Sequence, residues 1–149
     1  MRIASLFLLL VAIALVAGSL PEDGSGDWKV NPVRSTNPYP GSFVLRIKPH
    51  LKGEVFTLDR VDVQGRNTTS STVLYLDGKP RVLDLPGCAG TQSSRRLDSR
   101  TVEILRNCGS GEWMRFVRLL TQPKELILEI TEQRLDGSRL ERRLVLEKE

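Results

Sequence analysis

Side chains able to do chemistry are sparse in this sequence, and their spacing narrows what they can do. His50 is the only histidine in 149 residues, so neither a His-pair metal centre nor a Ser-His-Asp arrangement is available except through that one imidazole. It follows Pro49 in the turn before Leu51-Lys52-Gly53, where a histidine reads as solvent-exposed and inert. Carboxylates give no better pairing. Glu129 and Glu132, like Asp59 and Asp62, stand at odd spacing, so on a strand the two members of each pair point to opposite faces and read as solvated charges rather than an acid and a base. The expectation is a protein without metal, cofactor or catalytic residues.

Charged residues within apolar alternation are more informative. Glu103 lies between Val102 and Ile104, Arg115 between Trp113 and Val117, and Arg118 alternates with Phe116 and Met114. If the Phe116 face is internal, then Arg118, Phe116 and Met114 form a candidate ligand-binding set, with Arg118 receiving a carboxylate or another anionic head group. If instead the core face carries Val117, Leu119, Leu126 and Leu128, Arg118 serves an ion pair.

The compartment is read from the first residues. Met1-Arg2 supplies a positive start, Ile3 to Val16 is apolar except for Ser5, and Val16-Ala17-Gly18-Ser19 offers small residues for cleavage. The apolar run falls short of the roughly 20 residues of a permanent span. Ser19 stands where a lipoprotein would carry its cysteine. Residues 1–19 therefore read as a signal peptide, 20–26 as a linker and 27–149 as one domain, secreted or periplasmic, with no stable membrane span after cleavage. In such a compartment Cys88 and Cys108 are expected to form a disulfide. A reversal at Leu97-Asp98-Ser99-Arg100, continued to the base of its hairpin, sets the two cysteines directly opposite each other.

From residue 27 the pattern is that of short strands. Period-two alternation recurs between Gly, Pro, Asp and Asn punctuation, predicting strands at 27–35, 42–49, 53–64, 69–76, 80–85, 91–97, 100–107, 112–120, 124–134 and 138–147. Asp77-Gly78 and Asp136-Gly137 mark tight hairpins. Links this short make neighbours in sequence neighbours in the sheet. For the last hairpin, matching the apolar faces predicts Leu144 opposite Ile130 and Leu146 opposite Leu128, with an extra loop residue at Asp136-Gly137. A meander that is apolar on one face can bury that face as a two-layer sandwich or as a barrel, and a closed or nearly closed barrel is favoured because it also removes exposed edges. The composition, 40% hydrophobic and 27% charged, is that of one globular domain. The net charge of +4 comes from basic residues interleaved with acids, which argues against a nucleic-acid partner. Asn67-Thr68-Thr69 is a sequon, relevant only in a host that glycosylates its exported proteins.

Gly26-Asp27-Trp28 at the head of the first strand resembles the Gly-x-Trp start of lipocalins and related calycins. The meander over roughly residues 26–147 is similar to a short, lipocalin-like secreted bacterial β-barrel. The resemblance implies an all-β, up-and-down antiparallel barrel of about ten strands. It also implies that Trp28 closes the barrel floor, with Arg142 or Arg143 of the last strand stacked across it. The function it implies is non-catalytic binding of a small apolar or amphipathic ligand. The alternative is a cell-envelope interaction module, an inhibitor or assembly factor, with a packed barrel and a protein partner of unknown identity. A hollow interior of about 300 Å³ or more favours the first reading, and an apolar surface patch of several hundred Å² the second.

Overall fold

The computed structural model describes residues 24–149, so the signal-peptide reading and most of the linker lie outside the described residues. Ten strands follow in chain order: β1 (Gly26–Thr36), β2 (Ser42–His50), β3 (Gly53–Val61), β4 (Asn67–Leu74), β5 (Arg81–Leu85), β6 (Cys88–Arg96), β7 (Thr101–Asn107), β8 (Trp113–Gln122), β9 (Glu125–Gln133) and β10 (Arg139–Lys148). There is no helix among the described residues, and none that could cross a membrane. Every strand pairs antiparallel with its sequence neighbour except at β4 and β5, and β1 pairs with β10. The result is a nearly closed up-and-down barrel with one slot, between β4 and β5.

Alternation sets the interior. Trp28, Leu45, Ile47, Phe56, Ile104, Phe116, Leu126, Leu128, Ile130, Leu144 and Leu146 are buried in one cluster, while most of their strand neighbours are half-buried or exposed on the outer face, Glu103, Ile127 and Val145 being buried there. On β8 the inward face is Phe116, Arg118 and Leu120, and Leu119 is exposed. The face bearing Val117 and Leu119 is thus the outer one. The β8–β9 ladder sets Arg118 opposite Leu128 and Leu120 opposite Leu126, so the inward leucines of β9 share their face with the arginine.

Two hairpins differ from their predicted register. Leu144 lies opposite Leu128 and Leu146 opposite Leu126. The faces are as predicted, but the pairing slides by a residue pair because Leu135-Asp136-Gly137 forms a three-residue loop closed by Arg134 N–H to Ser138 O at 2.9 Å. Gly137, with φ of 81°, takes the left-handed position such a loop needs. In the β6–β7 hairpin the loop is Asp98-Ser99-Arg100, closed by Leu97 N–H to Thr101 O at 2.9 Å, and the ladder ends at Thr91 opposite Asn107. Cys88 and Cys108 are therefore not a directly opposed ladder pair. They form a disulfide beyond its end, with Cα atoms 4.6 Å apart. Gly90 permits the convergence, since a Cβ there would lie 1.9 Å from Asn107 O.

Replacing Leu128 by alanine removes a fully buried side chain and is expected to cost about 2–5 kcal/mol in urea unfolding. Leu105→Ala on the outer face is expected to change stability by no more than about 0.5 kcal/mol.

Candidate functional site

The two ends of the barrel differ in chemistry. At the end where β1 begins, Trp28 is fully buried and its indole N–H donates to Gly24 O at 2.8 Å. Arg142 and Arg143 do not stack on it. The β1–β10 register places Trp28 opposite Lys148 and Thr36 opposite Arg143, so both arginines sit at the far end of β10. Lys148 takes the cation position instead, 5.5 Å from the indole. Near this floor Arg118 and Glu54 form a buried ion pair across the interior, from β8 to β3. The structure therefore places Arg118 and Phe116 inside and Met114 partly buried against the core, with the Arg118 charge already met by Glu54.

The opposite end is a mouth formed by the β1–β2, β3–β4, β5–β6, β7–β8 and β9–β10 links. Below it lies a cavity of about 200 Å³ lined by Phe43, Leu58, Met114 and Phe116 and by the polar residues Tyr39, Arg60, Arg106 and Glu132. Arg106 enters because β7 continues the inward sequence Val102, Ile104, Arg106. It is 6% exposed, and every partner it has is neutral. Its Nε donates to Gln92 Oε1 at 2.8 Å, its Nη2 to Thr72 Oγ1 at 3.4 Å, and its guanidinium carbon lies 5.0 Å from the Phe116 ring centroid. Burial lowers its pKa to about 10, because desolvation disfavours the cation and no carboxylate restores it. It remains charged at neutral pH.

This wall of the barrel is polar because it borders the slot. Thr72, Gln92 and Ser94 line a second cavity, of about 300 Å³, between β4 and β5. Asp77 bridges to Arg95 of β6 at the slot's floor end, and Leu76 N–H donates to Ser94 Oγ at 3.0 Å. An amphipathic molecule entering the mouth would meet apolar rings on one side and a cation among neutral polar groups on the other.

Tyr39, on the β1–β2 link, covers part of the mouth. Its ring stacks on Phe43 at 5.3 Å, and its hydroxyl donates to Glu132 at 3.2 Å. Burial first, and then the Glu132 charge, push its pKa to about 12 against the opposing pull of Arg142 and Arg60, so it stays protonated. The remaining charges raised by the sequence are occupied elsewhere. Glu103 is buried on the outer face between Arg95 and Arg115, at 2.7 Å from each in its closest contacts. Asp59 is shared by Arg46 and Thr69, and Asp62 by Arg66 and the backbone of its own loop. His50 ends β2 and accepts from Lys52 N–H at 3.2 Å. Asn67 is the first residue of β4, exposed.

Among solved structures the chain is similar to a mutant of the fluorescent protein UnaG. Identity is 14% and the TM-score 0.57, over 84% of this chain and 95% of that one. The fold is accordingly that of an all-β, calycin-like barrel. No protein-family model and no curated protein matches the chain.

Glu54→Gln strands the Arg118 charge in the interior and is expected to destabilise by about 3–5 kcal/mol. The double replacement Glu54→Leu with Arg118→Met is expected to cost much less than the single change, as a urea denaturation series would show. For Glu103, burial raises its pKa but the hydrogen bonds from Arg115 and Arg95 outweigh it, and the net direction is downward. Its contribution to stability is therefore complete above the ordinary carboxylate range and is lost as pH falls below it. Thermal unfolding between pH 7 and pH 3 is expected to lose part of its pH dependence in Glu103→Gln.

Proposed function

We propose that this protein is an exported, non-catalytic binding barrel that holds a small amphipathic molecule in the mouth cavity, with the anionic head of the ligand at Arg106. The observation that carries this reading is a buried cation with only neutral partners beside an apolar pocket. A carboxylate placed there gains charge-assisted hydrogen bonds in a weakly screened site, and its tail covers Phe43, Leu58, Met114 and Phe116. Arg118, the arginine singled out in the sequence, is the poorer candidate, because a ligand would have to displace Glu54. At about 200 Å³ the cavity lies below the roughly 300–1,000 Å³ of typical ligand pockets, so the ligand is of short-chain or single-ring size. Export is supported by the apolar leader and by the Cys88–Cys108 disulfide, a bond that persists in oxidising compartments.

The interaction-module reading is favoured by a different observation. β5 leaves one edge unpaired, with Val82 exposed on it. Short monocarboxylates separate the two readings. Hexanoate is expected to bind saturably by calorimetry, and Arg106→Met, which removes the charge while leaving an apolar stem, to weaken it about tenfold or more, the size of a lost charge-assisted bond. Absence of saturable binding, or equal affinity in Arg106→Met, contradicts the proposal.

A further inference from the structure

The arginines of this barrel fall into two groups. Most that meet a neighbour meet a carboxylate: Arg46 with Asp59, Arg81 with Asp77, Arg95 and Arg115 with Glu103, Arg118 with Glu54. Those around the mouth cavity do not. Arg106 has neutral partners only. Arg60, on the rim of the same cavity, lies 4.0 Å over the Tyr39 ring and has no ion pair among the described residues. Arg142 lies 4.0 Å from the same ring. Its Nη1 donates to Asn37 O at 2.7 Å, while its Nε is buried without a hydrogen-bond partner.

The acids nearby do not balance these cations. Asp59 and Asp62 are paired with Arg46 and Arg66, and Asp62 meets the Arg60 charge only at longer range, without an ion pair. Glu141 reaches Asn37 only through its backbone carbonyl. Glu132, the one carboxylate in the cavity lining, accepts the neutral Tyr39 hydroxyl and keeps its charge, so it offsets one of the three cations and leaves two. A monoanion at Arg106 would leave the rim charge unanswered, and the cation–π contacts that now hold Arg60 and Arg142 are weaker than a carboxylate would provide.

We propose that the mouth cavity takes a small dianion, with one anionic group at Arg106, the other at the Arg60 rim beside Tyr39, and an apolar middle against Phe43 and Phe116. This inference rests on the reading of Arg106 as the head-group site and adds the second charge. Its recognition element is a buried and an exposed cation lining one cavity. Two cations lining one pocket select a molecule with two anionic groups.

Adipate and hexanoate have the same chain length and differ in the second carboxylate. At low ionic strength, where rim charges are least screened, adipate is expected to bind the full mature chain about tenfold more tightly than hexanoate. In Arg60→Gln that ratio is expected to fall to about two or less, the larger loss falling on adipate; Arg60 is exposed, so its loss leaves the core intact. Equal affinities in the unmodified protein, or an adipate preference that survives Arg60→Gln, overturn the second anionic subsite while leaving Arg106 in place. If neither acid binds, or if Arg106→Met leaves both unchanged, the head-group reading itself fails and this inference with it.

Discussion

The pairing of β1 with β10 is the constraint on which the rest of the molecule depends. A sheet with one apolar face and no helix packed on it has only itself to bury that face against. Closing the meander through its first and last strands brings Trp28, Leu144 and Leu146 beside Leu45 and Leu128 in a single core. Once that seam is formed, the inward positions of all ten strands converge on one axis. Any polar residue at such a position must then find a partner within the barrel or remain charged in a desolvated place.

The interior meets that demand in two ways, and the difference gives the ends of the barrel their separate characters. Near the floor, Arg118 and Glu54 neutralise each other, giving a region that is internally balanced. Toward the mouth, Arg106 has an amide, a hydroxyl and an aromatic face, none of which carries charge. Neutral partners satisfy the hydrogen-bonding geometry of a guanidinium but do not repay the desolvation of its charge. The cation is held beside the cavity, and the open slot between β4 and β5 supplies the polar wall that surrounds it.

Much of the fold was legible in the amino-acid sequence because strand identity depends on local alternation and turn chemistry. Ten strands were expected and ten are present among the described residues, and the Leu126-Leu128-Ile130 face points inward as the pattern requires. Register was less legible. It depends on whether a loop closes over two or three residues, as at Leu135-Asp136-Gly137 and Asp98-Ser99-Arg100, and that choice moves cross-strand partners without changing the pattern of faces. The same loss explains the stacking on Trp28: spacing alone could not say that Lys148, and not Arg142 or Arg143, lies opposite it. Arg106 was within reach, since it stands in step with Val102 and Ile104. What distinguishes it from Arg118 is that no carboxylate among the described residues forms an ion pair with it, a fact of three dimensions. Arg60 was within reach too, standing in step with Phe56 and Leu58 on β3, whereas Tyr39 lies on a link, where periodicity carries no information.

Binding of an anion in the mouth requires Arg106, rather than Arg118, to be the cation that answers it. Nitrogen-15 spectra of the arginine Nε–Hε groups, recorded while hexanoate is added to the labelled protein, examine the two side chains in one experiment. The Arg106 resonance is expected to move with saturation while that of Arg118, held by Glu54, stays in place. Movement of Arg118 with Arg106 unmoved, or no movement of either, would contradict it.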